Sequence, residues 1–142
     1  MKKKVLIVCA NYYLNITVSL VSDAKNLLND SKIKYSIINV PGIFEIPVVI
    51  AKNLNKFDGF IALGCVIKGE TPHFDFISKS TFNGLMKLSI ENKKPIGNGI
   101  ITALNFEQAI KRSGSDKKLL KKNIKNGKGK EATQAVISVL SQ

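Results

Sequence analysis

One histidine and one arginine occur in a chain of 142 residues that also carries 21 lysines. His73 closes the run Lys68-Gly69-Glu70-Thr71-Pro72-His73. There Thr71 suits a helix N-cap and Pro72 the first helical position. Free backbone N–H groups at such a start, with the helix dipole behind them, favour a phosphate, and Gly69 permits close backbone approach. His73 then stands beside the anion in the first helical turn, where the dipole helps keep its imidazole neutral, as a base requires. The plainer alternative is a polar helix-start residue. Arg112 precedes Ser113-Gly114 at the end of a helical segment. Any lysine would serve there to offset the dipole, whereas only arginine offers a planar fork that holds two phosphate oxygens.

Two further groups suit a ligand. In Pro41-Gly42-Ile43-Phe44-Glu45-Ile46-Pro47, Glu45 falls at a helix start. It either compensates the dipole or accepts hydrogen bonds from sugar or polyol hydroxyls. Phe44 is equally a core or a contact residue. Tyr12 and Tyr13 follow Asn11, and an aromatic ring there either stacks on a flat heterocycle or packs at a helix start.

The elements that must position these residues alternate. Apolar runs at Val5 to Cys9, Ile33 to Val40, Phe60 to Ile67 and Pro95 to Thr102 read as strands, the last holding two glycines. Between the first two, Ile16, Leu20, Ala24, Leu27 and Leu28 recur at helical spacing. Phe44 to Leu54 reads as a second helix with Pro47 in its first turn, and Pro72 to Ile90 as a third. Asn105 to Arg112 and Glu131 to Leu140 complete the helices. Such alternation implies right-handed crossovers and a four-stranded parallel sheet covered on both faces, a flavodoxin-like three-layer α/β sandwich in one domain spanning 1–142. Ligands of such sheets bind beyond the carboxyl ends of the strands, so the loops after Ala10, Val40, Ile67 and Thr102 are the ones that matter.

Composition narrows the function. The apolar run after Lys2 to Lys4 is too short for a signal peptide, and no run has membrane-spanning length, so a cytoplasmic protein is expected. Cys9 and Cys65 lie in strands and read as buried free thiols, and with one histidine a metal site has too few ligands. The formal charge of +12 raises nucleic acid as a partner. Yet 21 lysines and 13 asparagines beside one arginine suggest compositional drift, and a solvated basic surface is the expectation, with no nucleic-acid or membrane partner.

Three motifs in order resemble the lumazine synthases over nearly the whole chain. Val40 to Pro47 is similar to that family's V-P-G-(A/S)-(F/W)-E-(I/L)-P, Leu63 to Asp75 to its L-G-x-V-I-(R/K)-G-x-T-x-H-(F/Y)-(D/E), and Asn105 to Gly114 to its N-x-E-Q-A-x-x-R-(A/S)-G. The resemblance implies condensation of a 5-amino-6-ribitylamino-pyrimidinedione with a dihydroxybutanone phosphate, without cofactor, to give 6,7-dimethyl-8-ribityllumazine. By position it implies His73 in proton transfer, and Arg112, Thr71 and the backbone around Glu70 on the phosphate. Tyr12 falls on the pyrimidine ring, Ile43 and Glu45 near the ribityl chain with Phe44 between them as a substrate contact, and Val66 and Ile67 against the heterocycle through their backbone. Sites of the family lie between subunits of a pentamer, so Asn98, where many members carry an aromatic, comes from a neighbour. Lys128 matches the lysine of an N-K-G motif.

The stretch from Ser115 to Gly127 is longer and more basic than the family's turn. It implies an isolated pentamer, or at most two pentamers face to face, and no closed shell. Two other readings remain at this point: a nucleic-acid-binding module using Lys117 to Lys130, and a flavodoxin-like subunit that binds a flavin or phosphorylated ligand without chemistry.

Overall fold

Val5 to Ala10 are all buried, so the first strand needs cover on both faces. The computed structural model, which describes residues 2–114 and 127–142, supplies it. Strand β1 (Lys4–Ala10) is followed by α1 (Leu14–Asp30), β2 (Lys34–Val40), a 3-10 turn (Ile43–Glu45), α2 (Ile46–Lys52), β3 (Gly59–Ile67), α3 (His73–Asn92), β4 (Ile96–Ala103), α4 (Phe106–Ser113) and α5 (Lys128–Leu140). The strands form one parallel sheet in the order β2-β1-β3-β4. Every strand lies within a residue of its expected bounds.

Alternation of side chains along β1 divides the core. Val5, Ile7 and Cys9 meet Ile16, Leu20, Ala24 and Leu28 of α1, Ala109 of α4, and Ala132 and Val136 of α5. Leu6, Val8 and Ala10 meet Ile43, the α2 residues Ile46 and Ile50, and Leu85 of α3. Thus α1, α4 and α5 cover one face and α2 with α3 the other. Close packing on the first face depends on glycine. A Cβ at Gly97 would come within 2.4 Å of the Ala132 carbonyl oxygen, and one at Gly129 within 2.6 Å of the Leu20 carbonyl oxygen.

Two helices depart from expectation. The segment expected as one helix over Phe44 to Leu54 is a 3-10 turn leading into a helix that ends at Lys52. Pro47 has no N–H to bond the carbonyl four residues back, so the entry is made by the tighter turn, with the Ile46 N–H donating to the Ile43 carbonyl. At the far end the Asn53 side chain donates to the Val49 carbonyl at 2.7 Å and stops the helix. The last helix starts at Lys128, a turn before the expected Glu131, because Gly127 and Gly129 allow it to seat against Gly114 and α1.

Candidate active site

Sheet order places the site. The chain leaves β1 toward β2 on one side and β3 toward β4 on the other, so the loops after β1 and β3 part at a switch point at the carboxyl edge. The Asn11 N–H donates to the Val40 carbonyl at 3.0 Å, tying the loop after β1 to the end of β2. The Lys68 N–H donates to the Ala103 carbonyl at 2.9 Å, which anchors the loop after β3 to β4. Residues 68–72 are then exposed and lead into α3. The helix begins one position later than expected: Pro72 takes the cap position and His73 the first turn. The Thr71 hydroxyl nevertheless accepts from the His73 N–H, in a long bond of 3.4 Å.

On the other side of this opening, Gly42 is extended and its N–H donates to Glu45 Oε1 at 3.0 Å. One carboxylate oxygen of Glu45 therefore caps its own turn, while Oε2 has no hydrogen bond among the described residues. Phe44 and Glu45 of this turn join His73, Phe76, Ile77 and Ser80 of α3 around an open cleft of about 420 Å³. The volume is that of a small-molecule site. Its aromatic walls are bare: Phe44 is 62% and Phe76 68% exposed.

Phe76, Ile77 and Ser80 were not singled out by type. Their signal is spacing, since residues three, four and seven beyond a helical His73 share its face. Ile43, by contrast, is core and does not line the cleft. A Cβ on Gly64 would come within 2.9 Å of its side chain, so glycine there lets the turn settle on β3. Val66 and Ile67 are half-buried at the end of β3, in register with Thr102 and Ala103. Tyr12 lies at the same edge, 78% exposed and edge-on to Tyr13 with ring centroids 4.9 Å apart, but it does not line the cleft.

Three expected site residues lie elsewhere in the chain. Asn98 is exposed on edge strand β4, opposite Ala62, and its Oδ1 accepts from the Ile100 N–H at 3.1 Å. Arg112 is exposed in the last turn of α4, on the sheet face opposite α3. Helix α4 starts beyond β4, capped by Asn105, whose Oδ1 accepts from the Gln108 N–H at 2.9 Å, and runs back from the carboxyl edge. Six residues of helix carry Arg112 about 9 Å away from that edge. Lys128 opens α5 and pairs with Glu131 at 3.7 Å. Gly114 and Gly127 pack so tightly that a Cβ on the latter would lie 2.8 Å from the former's Cα, which brings the Arg112 and Lys128 helix ends together. Glu70 is exposed in the loop before Thr71.

Burial pushes the Cys65 thiol up to about 11, and raises that of Cys9 in the same core, so neither is a ready nucleophile. Among the described residues no three His, Cys, Asp or Glu side chains are placed to hold a metal ion, and no helix is long and apolar enough to cross a membrane.

Residues 2–142 match the family model described as 6,7-dimethyl-8-ribityllumazine synthase. Curated proteins of that name are similar along most of their length. The one from Agrobacterium fabrum is 43% identical, over 82% of this chain and 85% of the relative. That from Bartonella henselae is 40% identical over 99% and 88%, and that from Afipia carboxidovorans 39% identical over 96% and 83%. With the single histidine, at the start of α3, and the Phe44-Glu45 turn meeting at one cleft, this chain belongs to the 6,7-dimethyl-8-ribityllumazine synthase family.

Proposed function

We propose that this chain catalyses the lumazine-forming step of riboflavin biosynthesis in the cytoplasm, condensing 5-amino-6-(D-ribitylamino)uracil with 3,4-dihydroxy-2-butanone 4-phosphate. The observation that carries the reading is the cleft in which Phe44, Glu45 and His73 converge from two loops at the carboxyl edge of the sheet. The amine of the pyrimidine adds to the ketone and loses water to give a Schiff base. Loss of a proton and of phosphate follows, and ring closure with loss of a second water gives 6,7-dimethyl-8-ribityllumazine. Every step is a proton transfer, an addition or an elimination, so no redox cofactor enters the balance.

His73 moves the proton that phosphate elimination requires. The N–H groups at the start of α3, with Thr71 and the backbone at Glu70, receive the phosphate. The free Oε2 of Glu45 accepts from ribityl hydroxyls beside Phe44, and Ile43 contributes through its backbone because its side chain is core. The end of β3 offers Val66 and Ile67 backbone groups to the heterocycle, with Tyr12 stacked on its ring. Holding two solutes in register supplies much of the acceleration, and orientation matters more than any one residue.

The oligomer is part of this proposal. Within one chain, Asn98, Arg112 and Lys128 lie away from the cleft, on an edge strand and on the opposite face of the sheet. A neighbour that presents them completes the site, with Arg112 on the phosphate. Helix α3 exposes Phe76, Met86 and Ile90 along one side, at 68%, 62% and 67%, an unusual apolar surface for an isolated subunit. A homopentamer with sites between subunits accommodates both features. Two buried free thiols accord with a reducing compartment. Neither a nucleic-acid-binding module nor an inert flavin-binding subunit is favoured by the family match. Incubation with both substrates tests the reading: lumazine absorbance and equimolar phosphate should appear together, and binding without product would leave the inert subunit as the answer.

A further inference from the structure

Nine of the 21 lysines, scattered in sequence, fall at one end of the sheet. The loops at the amino end of the sheet, far from the cleft, gather segments 2–4, 32–34, 52–56 and 93–94, which hold nine lysines. The only carboxylates beside them in sequence are Asp30, Asp58 and Glu91. At the carboxyl end the balance reverses: loops 11–15, 41–45, 68–75 and 104–107 carry Lys68 against Glu45, Glu70, Asp75 and Glu107. A uniformly solvated basic surface would not divide this way.

Within the cationic end lies a groove of about 350 Å³ lined by Lys4, Lys34, Tyr35, Ser36, Lys56 and Phe57. Lys4 and Lys34 are partners in the parallel register of β1 and β2, so their side chains leave the same face of the sheet. Adjacent strands are about 4.8 Å apart, so the two cationic side chains start from neighbouring backbone positions. Among the described residues no carboxylate forms an ion pair with Lys4, Lys34 or Lys56. Asp58 is engaged instead by the backbone, one of its oxygens accepting from the Lys4 N–H at 2.8 Å. An anion in the groove would find three lysines without carboxylate partners among the described residues. The groove is larger than an inorganic anion needs and has an apolar side: Phe57 is half-buried there, held edge-on to Phe60 with centroids 6.2 Å apart.

We propose that this groove at the amino end of the sheet is a second ligand site, taking a nucleoside monophosphate with its phosphate between Lys4, Lys34 and Lys56 and its base against Phe57. The assignment is independent of the reaction in the cleft. Titration calorimetry of the full chain with AMP tests it, alongside inorganic phosphate and an oligothymidylate, in a Lys34→Gln/Lys56→Gln double variant and in Phe57→Ala. One AMP per chain is expected. Affinity should fall at least tenfold in the double variant and severalfold in Phe57→Ala, with the melting temperature and lumazine-forming rate of the double variant unchanged. Several results overturn the proposal: AMP binding weaker than about 1 mM, equal affinity in the parent and the double variant, phosphate binding as tightly as AMP, or oligothymidylate binding where AMP does not.

Discussion

His73 and Arg112 are each the sole member of their residue type, yet the fold separates them onto opposite faces of the sheet. His73→Ala should lower kcat by roughly a hundredfold to ten-thousandfold, the span of ordinary general-base contributions, with KM for both substrates little changed. A rise in KM with kcat intact, in steady-state assays, would remove it from proton transfer. Arg112→Lys keeps the charge and loses the fork, and should raise KM for the ketone phosphate more than for the pyrimidine. If Arg112 acts on a neighbour's phosphate, two inactive variants should complement each other. Co-refolded His73→Ala and Arg112→Ala chains would then regain about a quarter of wild-type activity, the share of sites drawing both intact residues from two chains mixed at random. No recovery would place both residues in the same chain's site.

At the scale of elements, glycine decides how closely β4 and α5 approach. Gly97→Ala forces a methyl group against the Ala132 backbone and should cost about 1–3 kcal/mol or more, as overpacking does, measured by urea unfolding. Asp23, midway along α1, behaves differently. Burial raises its carboxyl pKa above the usual 3.8, and the Lys130 charge opposes that shift without cancelling it. The folded chain therefore binds this proton more tightly than the unfolded one, so the stability associated with Asp23 is greatest below about pH 3.8 and falls as pH rises through the raised value. Asp23→Asn should accordingly raise the Tm at pH 7, with the gain vanishing near pH 3, by calorimetry at both values. A destabilised variant at pH 7 would show that the Lys130 attraction outweighs burial.

For the whole molecule, the proposed site draws on the cleft on one face of the sheet and on residues exposed on the other, which the proposed pentamer would bring together between subunits. Light scattering should give five chains, or at most ten from two pentamers face to face, and an active monomer would overturn the shared site. A closed shell is not expected. Lys117, Lys118, Lys121, Lys122, Lys125 and Lys128 belong to the stretch leading into α5, and like charges repel when brought within a Debye length of roughly 8 Å. Residues 115–126 lie outside the described residues, so that expectation rests on sequence, and a mass near sixty chains would refute it.

Strand and helix order, the parallel sheet and the loops bearing His73, Thr71 and Glu45 were legible in the sequence, because they follow from local periodicity and from residue types with few other uses. Helix limits were less so: the 3-10 turn before α2 and the early start of α5 depend on what Pro47, Gly127 and Gly129 meet in space. Three-dimensional packing alone determined that the Ile43 side chain is core and that the Phe44-Glu45 turn faces Phe76, Ile77 and Ser80 across one cleft. It likewise put Arg112 behind the sheet, beside Lys128. Nor could spacing along the chain show nine of the lysines gathered at one end, since a parallel sheet returns each connection to the same edge and so collects residues that sequence keeps dozens of positions apart.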